Sequence, residues 1–202
     1  MKRYIYLISP KKIRSRRFYK DLNNVLKTKK VKYFQLRIKK ISFSNLLKIA
    51  KKIKKIVKKY NVKFIINDKP IVAKIIDADG CHIGQKDIDL VIARKILGKN
   101  KIIGVTCQNS KKLALNAKKN GANYVAFGSF FKSTTKKTAF KANLEILRWA
   151  KKKINMPIVA IGGINSSNYN KILSNRADII ACSNYVWSNK KIDPVSAINK
   201  FK

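Results

Sequence analysis

Hydrophobic and polar residues alternate along the chain with two different periods. Short runs rich in isoleucine, valine, tyrosine and phenylalanine are separated by longer segments in which lysines lie between apolar residues at helical spacing. Strands that alternate with amphipathic helices in this way predict repeated βα units around a parallel sheet. The predicted strands cover residues 4–9, 33–38, 63–67, 80–84, 101–106, 124–128, 157–162 and 178–183.

The helical pattern is clearest between residues 44 and 60, where leucine, isoleucine, alanine and valine side chains fall on one stripe. Ser44 is the expected N-cap of this helix. Pro70 suits the first turn of a short helix after the third strand. Further helices are predicted at 87–97, 110–120, 143–153, 168–174 and 194–201.

The number of strand and helix units decides between two α/β architectures. Eight units in 202 residues fit a single (β/α)8 TIM barrel, whereas an open doubly wound sheet more often has about five or six strands. The chain contains no evident linker, and its only compositional bias is towards lysine. We therefore expect one TIM-barrel domain over residues 1–202.

The charge balance is strongly basic, with 48 Lys and Arg against 9 Asp and Glu and a net charge of +39. Such a balance raises the hypothesis of a non-catalytic barrel that binds RNA. However, the lysines are spread over nearly every predicted helix, at the polar positions between apolar ones. We interpret them as a solvated surface whose field attracts anionic substrates, and specific nucleic-acid binding is not expected.

Membrane segments and zinc sites are not indicated. No run approaches the roughly 20 apolar residues of a membrane span. Cys81, Cys107 and Cys182 are odd in number, far apart and without the spacing of a zinc site. They indicate reduced, buried thiols in a cytoplasmic protein.

The second predicted strand carries polar residues on one face. Gln35, Arg37 and Lys39 alternate with Leu36 and Ile38. If the apolar face meets the helices, an amide and two cations point into the mouth of the barrel, where an anionic ligand would compensate their burial. The alternative is an edge strand with a charged, solvated face.

Three of the few acidic residues lie near the third and fourth predicted strands. They are Asp68, Asp79 and Asp87. Paired carboxylates suit Mg²⁺, which in proteins typically takes one or two carboxylates together with phosphate oxygens of the substrate. The alternative is helix capping, by Asp87 before the helix at 87–97 and by Asp68 before Pro70.

A second anion site is indicated near the last three strands. The loop 130–138 offers hydroxyls and lysines, which are typical of an anion cradle or of an ordinary solvated loop. Gly163 and Ser183 follow the seventh and eighth strands, where this fold commonly binds phosphate. His82 is the sole histidine and is interpreted as a packed structural residue, and Cys107 has no identifiable base beside it.

Segments carrying these residues resemble, in order and spacing, the signatures of thiamine phosphate synthases and the related thiazole tautomerases. They are QLRIKK, IIND, GCHIGQKD, IIGVT, GANYVAFGSFFKSTTKK, PIVAIGGIN and ACSNYVW. The resemblance spans residues 4 to about 188. It implies a TIM-barrel transferase that condenses hydroxymethylpyrimidine pyrophosphate with thiazole phosphate, giving thiamine phosphate and pyrophosphate. In that family the pyrimidine C–O bond ionises first, and the thiazole nitrogen captures the carbocation.

The resemblance also implies site residues and partners. The catalytic cations are Arg37, Lys39 and Lys136. Together with Asn67 these cations would bind the pyrophosphate. The pyrimidine would be oriented by Gln35 and Thr106, and Mg²⁺ would be held by Asp68 and Asp87. The thiazole phosphate would be bound by Ser133, Thr135, Gly163 and Ser183. The expected partners are these two small-molecule substrates; a homo-oligomer is compatible with the sequence, and no membrane partner is expected.

The chain departs from the family pattern in its phosphate loop and fifth strand. The loop that commonly reads Pro-Thr-x-Thr-Lys is here Lys-Ser-Thr-Thr-Lys at 132–136, and Thr106 replaces the usual serine. Thiazole tautomerases use a histidine just after the fifth strand, where this chain has Cys107, Gln108 and Asn109. Because both aspartates and both cations are present, a synthase is favoured over a tautomerase.

Overall fold

The computed structural model describes residues 4–13, 15–132 and 141–202. Its strands form a closed parallel barrel in chain order, as the alternating pattern predicts, and the last strand pairs with the first. Each observed strand overlaps a predicted one. The strands are β1 (Ile5–Ile8), β2 (Val31–Leu36), β3 (Lys63–Asn67), β4 (Gly80–Ile83), β5 (Ile102–Gln108), β6 (Tyr124–Phe127), β7 (Ile158–Ile161) and β8 (Ile179–Cys182).

Helices follow the strands and cover the outside of the barrel. They are α1 (Arg16–Lys27), α2 (Phe43–Lys58), α3 (Pro70–Ile75), α4 (Leu90–Leu97), α5 (Lys111–Lys119), α6 (Glu145–Lys153), α7 (Tyr169–Ser174), α8 (Asn184–Trp187) and α9 (Pro194–Asn199). Within the described residues, none of them is long and apolar enough to span a bilayer.

Three details of the helix prediction need correction, one of which is that the short helix α8 was not predicted. The side chain of Ser42, not Ser44, accepts from the Asn45 N–H and caps α2. Helix α1 was not among the predicted helices, although it buries Phe18 and Leu22 on one face. Its apolar residues are diluted by charged ones, and its stability therefore depends on packing against α2 and α9.

Two apolar layers result from the alternation of side chains along the strands. Outward residues such as Leu7, Phe34 and Leu36 pack against the helices in the larger cluster. Inward residues form a second cluster inside the barrel. These are Tyr6, Ile8, Tyr33, Ile65, Tyr124, Ala126, Val159, Ile179 and Ala181. The barrel interior is thus a packed core of side chains and not an open pore.

A glycine in β5 makes space for an aromatic ring inside this core. Gly104 pairs with His82 of β4 on one side and with Tyr124 of β6 on the other. A Cβ atom at Gly104 would lie 1.8 Å from the Tyr124 ring. Because that position is empty, the Tyr124 and His82 rings stack across β5, with centroids 5.6 Å apart.

The end of the barrel where the strands begin has a repeated hydrogen-bond pattern. Asp79 immediately precedes β4, and its carboxylate accepts from the Phe64 N–H at 2.8 Å. Asp178 precedes β8 and accepts in the same way from the Ile158 N–H at 3.0 Å. Asp79 therefore lies at the opposite end from the strand C-termini, and grouping it with Asp68 and Asp87 was wrong.

Candidate active site

The C-terminal ends of β2, β3 and β4 bring charged side chains together. Asp68 directly follows β3, and its N–H donates to the His82 carbonyl at 2.8 Å, which extends the β3–β4 ladder by one residue. Arg37 and Lys39 follow β2, and both act electrostatically on Asp68. Within the described ranges neither cation forms a salt bridge with a carboxylate, so both remain available to an anionic ligand.

Asp68 and Asp87 form a close carboxyl pair. The pKa of Asp68 is raised to about 6, first by burial and then by the hydrogen bond and charge of Asp87, while Lys39 and Arg37 oppose the shift. Two carboxylates in hydrogen-bonding contact repel each other unless a proton or a cation lies between them. The pair is therefore suited to holding a cation.

The capping alternatives for these two aspartates are wrong. The N-cap of α4 is Asp89, whose side chain accepts from the Val91 N–H at 2.7 Å. The N-cap of α3 is Lys69, and no side chain caps that helix. Asp87 instead accepts from the Gly84 N–H at 2.9 Å, which orients its carboxylate on the β4–α4 loop. In the part of the chain that is described, no third His, Cys, Asp or Glu joins the pair.

A chain of hydrogen bonds crosses the barrel below this charged group. Gln35 is only 3% exposed, and its Nε2 donates to the Tyr6 hydroxyl at 2.8 Å. The Tyr6 and Tyr124 hydroxyls are 2.8 Å apart, and the Tyr124 hydroxyl is 2.9 Å from His82 Nδ1. His82 Nε2 lies 2.8 Å from Thr106 Oγ1. The predicted inward direction of Gln35 is confirmed, since its neighbour Leu36 packs in the outer layer.

His82 is the buried, packed histidine that the sequence indicates, with two partners that the sequence did not reveal. The pKa of His82 is lowered to about 4, mainly by burial and also by the charge of Arg37, while the charge of Asp87 opposes the shift. The imidazole is therefore neutral near pH 7, with one nitrogen able to donate and the other to accept. Asn67, the last residue of β3, pairs with His82 in the sheet and is half-buried at the mouth.

The predicted second anion site is assembled only in part by the described residues. The Phe131 N–H donates to the Gly162 carbonyl at 3.0 Å, which holds the segment after β6 against the end of β7. Gly163 has a φ of 65°, and a Cβ there would lie 2.5 Å from the Lys132 carbonyl oxygen, so glycine is required. Ser133, Thr135 and Lys136 lie outside the described residues.

Ser183 and Cys107 both have their polar atoms engaged within the protein. The Ser183 hydroxyl donates to the Ser9 carbonyl at 3.0 Å, which ties the end of β8 to the end of β1. Cys107 is fully buried, and burial raises the pKa of its thiol to about 12. Asn109 accepts from the Asn143 N–H at 3.3 Å. Cys107 is thus protonated near pH 7 and poorly placed to exchange protons with a ligand.

Known proteins match this chain over all or most of its length. The family model described as thiamine monophosphate synthase matches residues 5–186. The thiamine-phosphate synthase of Pelagibacter ubique is 56% identical over 201 residues, which is 100% of this chain and 97% of that protein. The thiamine-phosphate synthase of Clostridium acetobutylicum is 39% identical, over 93% of this chain and 89% of that protein.

Solved structures agree with the observed barrel. The thiamine phosphate pyrophosphorylase of Pyrococcus furiosus superposes with a TM-score of 0.87 at 30% identity, covering 99% of this chain and 94% of that one. A 3-hexulose-6-phosphate synthase superposes with a TM-score of 0.67 at 16% identity, covering 97% of both chains. The second likeness extends to the fold alone.

Proposed function

Since the chain belongs to the thiamine monophosphate synthase family, we propose that it joins hydroxymethylpyrimidine pyrophosphate to thiazole phosphate, giving thiamine phosphate and releasing pyrophosphate. It is a transferase of thiamine biosynthesis. The observation that carries the detailed proposal is the Asp68–Asp87 carboxyl pair, which lies beside Arg37 and Lys39 at the mouth of the barrel.

The cations and amides at this mouth would bind and stabilise the leaving group. Breaking the pyrimidine C–O bond moves negative charge onto the pyrophosphate. Arg37, Lys39 and Lys136 would neutralise that charge, and the Asn67 amide would donate to a phosphate oxygen. Because the negative charge on the pyrophosphate grows as the bond breaks, stabilisation by these cations would be greatest in the transition state.

Asp68 and Asp87 would hold Mg²⁺. The fit rests on the carboxyl pair itself, whose mutual repulsion a divalent cation relieves, and on the freedom of both side chains from helix capping. When bound, Mg²⁺ would supply positive charge to the departing pyrophosphate. The two protein carboxylates would leave further coordination positions to substrate oxygens and water, as is usual for this ion.

The pyrimidine ring and the thiazole phosphate would have separate contacts at the same end of the barrel. Gln35 and Thr106 would orient the pyrimidine, and both are anchored by the chain of hydrogen bonds across the barrel. The thiazole phosphate would be bound by Gly163, Ser183, Ser133 and Thr135. At Gly163 the space for a side chain is taken by the Lys132 carbonyl, so this residue would contact the phosphate through its backbone N–H. Since the Ser183 hydroxyl already donates to the Ser9 carbonyl, Ser183 would donate its backbone N–H to a phosphate oxygen.

Magnesium binding is expected to depend on pH through Asp68. A carboxylate must lose its proton to bind a cation, and the pKa of Asp68 is raised to about 6. Mg²⁺ should therefore raise the melting temperature of the substrate-free chain by about 3 °C or more near pH 7.5, and by much less near pH 5. Differential scanning fluorimetry with and without Mg²⁺ at the two pH values measures the difference.

Asp68→Asn and Asp79→Asn are the matched variants for this measurement. Asp68→Asn should lose the Mg²⁺-dependent rise at both pH values. Asp79→Asn changes the same chemical group at the opposite end of the barrel and should keep it. An equal rise at both pH values, or an undiminished rise in Asp68→Asn, would show that Mg²⁺ binds elsewhere.

A synthase and a tautomerase make different demands on Cys107. A tautomerase moves protons on the thiazole and needs a positioned acid or base at the end of β5. The Cys107 thiol is buried and protonated, and Gln108 and Asn109 do not titrate. Cys107→Ala should therefore retain at least about half of the rate of thiamine phosphate formation. If the wild-type chain tautomerised a thiazole without metal, and Cys107→Ala lost this activity, the tautomerase function would be supported instead.

A further inference from the structure

The hydrogen bonds inside the barrel connect the two side chains proposed to orient the pyrimidine. Gln35 on β2 and Thr106 on β5 are joined through Tyr6, Tyr124 and His82. Tyr6 and Tyr124 are at most 2% exposed and His82 is 9% exposed. A polar chain through an otherwise apolar core is costly unless every member is hydrogen-bonded, and each of these members is.

The chain has a direction, which follows from the donors available. Gln35 Nε2 donates to the Tyr6 oxygen, so the hydrogen of Tyr6 points to Tyr124. The hydrogen of Tyr124 then points to Nδ1 of the neutral His82, which leaves Nε2–H to donate to Thr106 Oγ1. Each hydroxyl therefore accepts from one neighbour and donates to the next.

The two ends of the chain are left with complementary free groups. Gln35 Oε1 has no hydrogen-bond partner among the described residues, and it is an acceptor only. Thr106 Oγ1 already accepts from His82, so its own hydrogen is free to donate. An acceptor at the end of β2 and a donor at the end of β5 match a ring that carries a donor amino group and an acceptor ring nitrogen.

We propose that Tyr6, Tyr124 and His82 are positioning residues that fix this acceptor and donor, and thereby select an aminopyrimidine. The inference rests on the proposed function, because it assigns the pyrimidine to this end of the barrel. Fixing the Gln35 amide is the decisive step: an unanchored amide would rotate and offer its NH₂ group to a ring with an oxo substituent as readily. Selection by a fixed polar group is strong because the wrong ligand leaves that group unpaired.

Gly104 indicates that the hydrogen-bonded chain does more than fill the core. Its missing side chain leaves room for the Tyr124 ring, which lets the Tyr124 hydroxyl reach both Tyr6 and His82. Packing alone does not require the polar atoms of the chain, because apolar residues can fill a barrel interior. Tyr33 is an example of a residue that only packs: its ring lies against both Tyr6 and Tyr124, while its hydroxyl takes no part in the chain.

The test compares hydroxymethylpyrimidine pyrophosphate with its deamino analogue, in which hydrogen replaces the exocyclic amino group. Dissociation constants are measured by calorimetry with Mg²⁺ but without thiazole phosphate, so that the electronic effect of the amino group on C–O cleavage does not enter. In the wild-type chain the analogue should bind about tenfold more weakly, the loss expected for one hydrogen bond.

Tyr6→Phe and Tyr124→Phe interrupt the chain at different points, and Tyr33→Phe removes a hydroxyl from the same layer outside it. In Tyr6→Phe and Tyr124→Phe the analogue's disadvantage should fall below about threefold, because the Gln35 amide is no longer held in one orientation. In Tyr33→Phe it should stay near tenfold. Two interrupting variants keep the test decisive if one of them fails to fold.

A tenfold disadvantage that persists in a folded Tyr6→Phe or Tyr124→Phe chain would overturn the positioning role and leave the proposed function intact. A general loss of stability would weaken the binding of both ligands equally and leave the ratio of their dissociation constants unchanged. This ratio therefore distinguishes a positioning role from a packing role. A wild-type chain that binds neither pyrimidine pyrophosphate would overturn the proposed function and this inference together.

Discussion

Asp68→Asn and Asp87→Asn are each expected to lower the turnover number on the order of a hundredfold or more while the chain remains folded. Asparagine keeps the shape of aspartate but removes the charge that holds Mg²⁺. The carboxyl pair is not a helix cap, so its loss should not unfold the neighbouring helices. Steady-state kinetics at saturating substrates, with circular dichroism to confirm folding, measures the effect.

Asp79→Asn provides the matched control. The Asp79 carboxylate accepts from the Phe64 N–H and pairs with Lys63 at the other end of the barrel. Its replacement should cost some stability and leave turnover within about threefold of the wild-type value. Full activity in Asp68→Asn or Asp87→Asn would reject these aspartates as metal ligands.

Arg37→Met and Lys136→Met should also have large effects, on the order of a hundredfold in the turnover number. Their charges are needed most as the pyrophosphate gains negative charge, so the loss should be in turnover and not in affinity for thiazole phosphate. The Michaelis constant for thiazole phosphate should stay within about threefold of its wild-type value. Initial rates measured over a range of each substrate separate the two quantities.

Arg176→Met is the corresponding control for charge. Arg176 is exposed between α7 and β8, at the end of the barrel where the strands begin. In a chain of net charge +39, removal of one distant cation should hardly change the attraction of anionic substrates. If Arg37→Met mainly weakened the binding of thiazole phosphate, the assignments of the pyrophosphate site and the thiazole-phosphate site would have to be exchanged.

The barrel was predictable because periodicity alone distinguishes its strands from its helices. Lysines between apolar residues identify amphipathic helices, and short β-branched runs identify buried parallel strands. The inward direction of Gln35 followed from simple alternation with Leu36. Helix α1 could have been predicted by the same rule, since Phe18, Leu22, Val25 and Leu26 recur at the i, i+4, i+7 and i+8 spacing of an amphipathic helix.

The error at Asp79 has a simple physical cause. In a parallel barrel, residues that follow a strand lie at one end and residues that precede a strand lie at the other. Asp68 follows β3 and Asp79 precedes β4, so they are separated by the length of the barrel despite their closeness in sequence. Applying this rule to the sequence would have separated them.

The hydrogen-bonded chain through the core was beyond the reach of sequence reasoning. Its members come from five strands, and their contacts depend on the register that aligns His82, Gly104 and Tyr124 across β4, β5 and β6. The sequence offers one signal, namely tyrosines, glutamine, histidine and threonine at inward positions where apolar residues are usual. That signal identifies polar residues inside the barrel but not which of them meet.

The most direct test of the central claim is mass detection of thiamine phosphate after the purified chain is incubated with hydroxymethylpyrimidine pyrophosphate, thiazole phosphate and Mg²⁺, with a parallel sample in excess EDTA. We expect thiamine phosphate and pyrophosphate in equal amounts with Mg²⁺ and neither product with EDTA. Absence of thiamine phosphate in the Mg²⁺ sample would contradict the synthase function. Equal product in the EDTA sample would contradict the metal role of Asp68 and Asp87.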